Sequence, residues 1–367
     1  MRVALIQDWL NGMRGGEKVL EVFCELLPDA EIFTLLYEPS RISDTINSHK
    51  VHESFIGKLP MAKKHYRNYL PLFPSAIETF NLQEFDVVIS ISHCVAKGVI
   101  TSPNSINICY CLTPMRYIWD LYDQYFNPKT TNVVKRFIIS IIAHYLRIWD
   151  VNSSSRVDEF YAISDNIKNK IKRYYNRESE VIYPPVDCDY FKPSDKKETD
   201  DEYYLVVSAF VPYKRIDLAV NAFNKLGKKL IIVGKGPEGN SLKEIAHSNI
   251  EFTDWADDEM LLKLYQNCKA LIFPSEEDFG IVPLEAQSCG KPVIAYGKGG
   301  ALETIVKDKT GIFFKKQNTN SLIEAVERFE SMTFDPKIIR QNAEKFDRKI
   351  FKEKIRKLIS DKCSNIN

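Results

Sequence analysis

A short apolar run, a glycine-rich break and a helix-period segment recur along this 367-residue chain, and no other feature restricts its fold as tightly. The first copy opens with Val3-Ala4-Leu5-Ile6-Gln7, followed by Gly12, Gly15 and Gly16. From Glu17 the apolar residues Val19, Leu20, Val22, Phe23, Leu26 and Leu27 recur at spacings of three and four, until Pro28 and Asp29 stop the helix. Further strands are expected at 32–36, 86–90 and 106–111, and a second series at 204–208, 230–233, 250–252, 270–273 and 292–295. Strands alternating with helices predict parallel sheets covered on both faces. Between the two series, Pro184-Pro185 and the charged stretch 194–202 read as an interdomain linker and entry. The expected fold class is α/β: two doubly wound domains, 1–185 and 186–340, facing each other across a cleft. The last helical stretch, 336–359, is expected to bring the C-terminal segment 341–367 back onto the first domain.

Composition narrows the function classes. A hydrophobic fraction of 44% with 27% charged residues is that of a globular protein. With 50 basic against 49 acidic residues the net charge is +1, which is no electrostatic footprint for a nucleic acid partner. None of the eight cysteines has the C-x-x-C spacing of a metal or redox site; Cys109 and Cys111 share one strand face and read as buried small hydrophobes. Asp8 arrives too early for a secretory signal, so a reduced cytosolic setting is expected. The longest uncharged apolar stretch, 137–146 between Arg136 and Arg147, is about half of what a bilayer needs and is expected to be a buried helix.

In doubly wound sheets ligands bind beyond the carboxyl ends of the strands, which directs attention to the strand-end loops. The most informative is Phe273-Pro274-Ser275-Glu276-Glu277-Asp278-Phe279-Gly280-Ile281-Val282-Pro283-Leu284-Glu285, with a helix expected to start near Pro283. Backbone N–H groups between Phe279 and Val282, Gly280 and Ile281 included, would suit a diphosphate at a helix N-terminus. Glu277 and Glu285 can accept hydrogen bonds from sugar and ribose hydroxyls; the alternative is a solvated Glu277 and a locally paired Glu285. Lys214 and Arg215 end a second such loop, where adjacent cations oppose the dipole of the helix that follows unless an anion is bound. They could neutralise a diphosphate leaving group, or be two exposed charges. Gly15 and Gly16, Gly234 with Gly236, and Gly297, Gly299 and Gly300 are weak signals singly, since glycines serve turns everywhere. His93 stands directly after a strand, a placement that serves either function or packing.

These residues resemble the GT-B glycosyltransferases of family 4, notably bacterial mannosyltransferases of surface-polysaccharide and O-antigen assembly. The similarity rests on the E-x7-E element Glu277–Glu285, on Val211-Pro212-Tyr213-Lys214-Arg215, on Ser92-His93-Cys94-Val95-Ala96-Lys97-Gly98, on Asp8-Trp9-Leu10 with Met13-Arg14-Gly15-Gly16-Glu17-Lys18, and on Thr113-Pro114-Met115-Arg116-Tyr117. It implies an N-terminal acceptor domain and a C-terminal donor domain, both Rossmann-like. It further implies a nucleotide sugar as donor, Glu277 on the donor sugar, Glu285 on the ribose, Lys214 on the diphosphate and the Gly15–Gly16 loop closing over it. Transfer would proceed with retention and without a metal or other cofactor. The catalytic candidates are His93, Glu277 and Lys214; Arg215, Gly234 and the 279–282 loop complete the donor set.

Two departures stand out. Leu112 replaces the histidine of the usual Cys-His-Thr-Pro, and Ala209 replaces an arginine common after Ser208. Losing a buried charge partner typically costs about 2–5 kcal/mol of interaction. The chain could therefore compensate locally, prefer a 6-deoxy donor whose methyl sits against Leu112, or be a degenerate binding or scaffold subunit. Segment 55–67 mixes cations with apolar residues and reads either as a solvated helix surface or as a face that rests on an anionic bilayer. The resemblance to polysaccharide-assembly enzymes implies the second, near a saccharide or lipid-linked acceptor at the inner face of the cytoplasmic membrane.

Overall fold

A computed structural model of the chain describes residues 1–126, 132–194, 202–254 and 256–363; most of the charged stretch expected as a linker entry, 195–201, lies outside them. The chain folds into two compact units, one of 1–184 with 351–367 and one of 185–350.

The first unit is built on seven parallel strands: β1 (Val3–Gln7), β2 (Glu31–Thr34), β3 (Val51–Glu53), β4 (Val87–Ser92), β5 (Ile106–Cys111), β6 (Glu159–Ala162) and β7 (Ser179–Val181). Their order is β3-β2-β1-β4-β5-β6-β7. β1 and β4 are buried at every position and pair from Val3 on Val87 to Gln7 on Ile91. That is what unbroken apolar runs do in a sheet covered on both faces. The two edge strands, β3 and β7, have three residues each and carry His52, Glu53, Ser179 and Glu180, so their sequences show no apolar run to detect.

Helices cover the sheet. α1 (Gly15–Leu26) buries Val19, Leu20, Val22 and Phe23, the face its spacing foretold. α2 (Phe73–Glu78) and α3 (Val133–Ser153) pack on one sheet face around Phe33, Val88, Ile118 and Trp149. The long apolar stretch expected to be a buried helix is a helix buried on one side only. α3 buries Ala143, Leu146 and Trp149, but Phe137, Ile138 and Ile141 are 66%, 52% and 55% exposed. An apolar run predicts a helix but not which sides are covered, and only the side of Ala143, Leu146 and Trp149 meets the sheet.

The second unit has six parallel strands, β8 (Tyr204–Val207), β9 (Leu230–Val233), β10 (Ile250–Thr253), β11 (Ala270–Phe273), β12 (Val293–Tyr296) and β13 (Gly311–Phe314), ordered β10-β9-β8-β11-β12-β13. Its cores lie on both faces, one around Phe223, Ile232 and Val326 beneath α4 (Ile216–Leu226), the other around Tyr265, Leu271 and Ala286. α5 (Asp258–Asn267) and α6 (Ile281–Ser288) cover the second face. Both sheets are thus doubly wound, as the alternation predicts, and the order reverses beside β1 in one and beside β8 in the other.

The single C-terminal helix expected over 336–359 is instead two, α7 (Pro336–Glu344) and α8 (Arg348–Cys363). The break has a backbone cause. Val186 N–H donates to the Phe346 carbonyl at 3.0 Å and Arg348 N–H donates to the Val186 carbonyl at 2.9 Å, drawing 346–348 into a strand-like bridge. Beyond it α8 lies on the first unit, where Phe351 stands edge-on to Phe23 and Tyr110 at 5.8 and 5.7 Å.

Candidate active site

In a doubly wound sheet the loops flanking the point of reversal splay apart and leave a crevice. In the second unit those loops follow β8 and β11, and they carry Lys214 and Glu277. The two side chains meet there, Lys214 Nζ lying 2.5 Å from Glu277 Oε1, with 15% and 22% of their side-chain surfaces exposed. Ser275 Oγ donates to the same carboxylate oxygen at 2.8 Å, fixing it from its own loop.

Glycines hold this arrangement in place. Gly280 adopts φ +97°, a left-handed conformation that admits few other residues, and turns the chain into α6. The helix begins at Ile281, two residues before the expected start. Pro283 sits third, where its missing N–H would have lacked an intrahelical partner anyway. The N-cap residue of α6, Gly280, has no side chain with which to cap that end, and the helix follows directly on the loop that carries Glu277. Gly299 and Gly300 press from behind: the Gly300 N–H donates to the Glu277 carbonyl at 2.8 Å, and a Cβ on Gly300 would stand 2.2 Å from the Phe279 carbonyl oxygen. Gly234 serves a similar end in the neighbouring loop, where a Cβ would lie 1.9 Å from the Ser208 carbonyl oxygen.

Two expected residues stand apart from the pair. Arg215 closes a fork on Asp217 at 3.0 and 3.1 Å, and Glu285 is buried on α6, where its carboxylate accepts from Tyr265 Oη at 2.8 Å. Burial, then the Glu285 charge, pushes the Tyr265 hydroxyl well above its ordinary pKa, so it stays a donor. Ser275 and Tyr265 were not legible as partners of the two glutamates. The only signal was Ser275 two residues before Glu277.

The first unit has a corresponding crevice beyond β1 and β4. Asp8, fully buried, accepts four backbone N–H bonds from the turn after β4, those of His93 and Cys94 on one oxygen and of Val95 and Ala96 on the other, at 2.6–2.9 Å. Burial pushes its carboxyl up, but His93 and these donors hold it below the ordinary value. The turn is an anion nest that the protein fills with its own carboxylate. The His93 ring stands edge-on to Trp9 at 4.3 Å with Nδ1 3.1 Å from Asp8 Oδ2, outside hydrogen-bond alignment. Gly15 and Gly16 open α1. Gly16 lies under Leu112, whose Cδ1 would be 3.0 Å from a Cβ there, and beside Gln7, whose buried amide atoms have no hydrogen-bond partner among the described residues. Asp8 and Gln7 directly follow and end the first strand, a position that marks them only once the sheet order is known.

Lys97, in the same turn, is structural. It is buried and bonds Asp150 Oδ1 at 2.7 Å and Ser153 Oγ at 2.9 Å, while Trp119 and Tyr175 donate to the other Asp150 oxygen.

Residues 189–346, nearly the whole second unit, match the family described as glycosyl transferases group 1. The second unit is a glycosyl transferases group 1 domain. Similar proteins include an uncharacterised glycosyltransferase of Methanocaldococcus jannaschii, 27% identical over 55% of this chain and 58% of that one. An alpha-1,3/1,6-mannosyltransferase of Kluyveromyces lactis is 29% identical over 63% and 54%. An O-antigen chain mannosyltransferase C of Escherichia coli is 30% identical over 36% and 38%. The chain spans about half the length of such curated relatives. Among solved structures, sucrose-phosphate synthase of Thermosynechococcus elongatus aligns over all of both chains at TM-score 0.75 and 17% identity. HepE of Anabaena in complex with UDP aligns over 98% of this chain and 100% of that one at TM-score 0.70 and 15% identity. The group 1 domain and its N-terminal companion therefore have the GT-B fold, two Rossmann-like domains. Lys214, Glu277 and the N-terminus of α6 all lie on the group 1 domain.

Proposed function

We propose that this chain is a retaining hexosyltransferase that moves mannose or a related hexose from a nucleoside diphosphate, GDP in the first instance, to a saccharide or lipid-linked saccharide. The observation that carries the reading is the Lys214–Glu277 pair at the sheet reversal of the group 1 domain, in loops of which one leads into the glycine-capped N-terminus of α6. A diphosphate brings negative charge to a lysine and a row of N–H donors. A sugar brings hydroxyls to a carboxylate already oriented by Ser275. The similarity to mannosyltransferases supports the sugar, and the neighbour solved with UDP makes uridine the competing base.

In the proposed reaction the acceptor hydroxyl attacks the anomeric carbon on the face the diphosphate leaves. The carbon–oxygen bond to the diphosphate breaks, the new glycosidic bond forms, and the hydroxyl proton passes to a diphosphate oxygen. Lys214 and the α6 N–H groups stabilise the charge that develops, so the reaction is proposed to run without a metal or other cofactor, at an unchanged rate in chelator. Glu285 is proposed to receive the ribose and His93 the acceptor. The exposed cations Lys58, Lys63, Lys64 and Arg67, with Phe55 and Met61 exposed among them, support contact with a membrane carrying that acceptor.

Calorimetric titration with GDP, UDP and dTDP and their mannose, glucose, fucose and rhamnose conjugates tests the donor reading. Base-selective binding that falls about tenfold or more in Glu277→Gln for the sugar conjugate, and not for the bare diphosphate, supports it. Leu112→His is expected to shift preference from 6-deoxy sugar to mannose; an unchanged preference removes the 6-deoxy reading. No binding to any member leaves a degenerate binding subunit instead.

A further inference from the structure

Among the described residues, the outward face of α3 has no partner. Val133, Val134, Phe137, Ile138, Ile141, Tyr145, Ile148 and Val151 are 36–79% exposed. At 3.6 residues per turn they occupy an arc of about 140° along roughly 27 Å of helix. A stripe of eight exposed large side chains is contiguous apolar surface of the kind that marks an interaction site, unlike single apolar residues scattered over a surface. Yet no helix among the described residues is long and apolar enough to cross a bilayer.

Charge decides among occupants. The exposed ionisable residues of this helix are Lys135, Arg136 and His144; its one acid, Asp150, is buried with Lys97. Lys135 and Arg136 flank the stripe on its two sides and His144 lies within it, so a second copy docked through the same face would bring basic flank to basic flank with no acid between them. An anionic bilayer supplies hydrocarbon for the stripe and phosphates for the flanks. The neighbouring surface agrees. Ile56, Ala62, Tyr66 and Phe73 belong to the same core cluster as Ala143, Leu146 and Trp149, so segment 55–72 and α3 lie on one layer over one sheet face. Trp149 Nε1 ties that layer together by donating to Glu78 Oε1 at 2.8 Å.

We infer that α3 is an in-plane membrane helix: its 133–151 stripe inserts among the acyl chains of an anionic leaflet while Lys135, Arg136 and the cations of 58–67 meet the headgroups. This deepens the membrane contact proposed above by naming the element that inserts. It does not depend on the donor reading.

The full chain is sedimented with vesicles of phosphatidylcholine alone and of an equimolar phosphatidylcholine–phosphatidylglycerol mixture. The wild type is expected in the pellet with the mixed vesicles and largely in the supernatant with the neutral ones. Ile138→Asp with Ile141→Asp is expected to lower the partition coefficient about tenfold or more, because each loses burial of an apolar side chain. These positions face solvent, so the thermal transition and nucleotide binding stay as in wild type, which keeps this test separate from the donor reading. In Phe137→Trp, tryptophan emission should shift to the blue when the mixed vesicles are added. Wild type left in the supernatant, or the double variant pelleting as wild type does, would overturn the inference. So would a wild-type dimer in lipid-free solution that the double variant converts to monomer, which makes a second copy the occupant.

Discussion

At the scale of single residues, buried polar groups decide which side chains can change. Asp8 is the clearest case, because its two oxygens serve four N–H groups and its burial leaves no water to replace them. Asp8→Asn keeps the shape but turns one acceptor into a donor that points at N–H groups. Charged hydrogen bonds of this kind contribute about 1.5–3 kcal/mol each, and orphaned buried donors add to the loss. Hydrogen exchange at His93, Cys94, Val95 and Ala96 should therefore accelerate about a hundredfold in Asp8→Asn, and unchanged protection would show that the nest does not depend on the carboxylate. The sequence shows Asp8 after a strand but not what it faces, since its partners lie more than eighty residues away. The same limit hid Tyr265 as the partner of Glu285 and the direct contact of Lys214 with Glu277, although the resemblance put both of the latter on one donor.

At the scale of elements, close backbone approach explains why glycine-rich turns follow the strands. Gly300 has an ordinary helical φ of −62°, so backbone strain does not require glycine there. Contact does: a Cβ would stand 2.2 Å from the Phe279 carbonyl oxygen and 2.3 Å from its Cα. Gly300→Ala must push Phe279 and Gly280 outward and with them the start of α6, at a cost of about 1–3 kcal/mol for overpacking. The expected outcome is a nucleoside diphosphate affinity lowered about tenfold, with the far-ultraviolet circular dichroism of wild type. Equal affinity in calorimetry would separate this turn from the site. Glycine positions were legible in the sequence, and their uses were not. A glycine needed for φ, as at Gly280, and one needed for contact, as at Gly300, look alike until the neighbouring strand is in place.

At the scale of the whole molecule, each unit carries its own acid-sensitive anchor. In the first, hydrogen bonds from His52, Lys50 and Arg2 hold the Glu31 carboxyl down to about 2. In the second, burial pushes Glu330 up, but bonds from Lys269, Tyr204 and Lys228 prevail and hold it to about 2, below the ordinary 4.5. A carboxyl lowered by folding contributes stability that is present above its unfolded value and lost as pH falls through its folded value. Between about 4.5 and about 2 the second unit should thus lose stability in wild type and lose less in Glu330→Gln. Urea midpoints measured across that range check it, and parallel curves for the two proteins would refute the assignment.

Fold class lay in the sequence because a strand buried on both faces needs an unbroken apolar run and a covering helix needs a stripe, and both are local patterns. The edge strands β3 and β7 escaped because pairing on one side only allows polar residues such as theirs. The helical period of 336–359 could not reveal its interruption, which depends on hydrogen bonds to Val186 from a distant part of the chain. The apolar run of α3 announced a helix but not its surroundings. Hydrophobicity records how much a side chain gains by leaving water, while the packing of Ala143, Leu146 and Trp149 alone decides which side of the helix leaves it and which stays exposed.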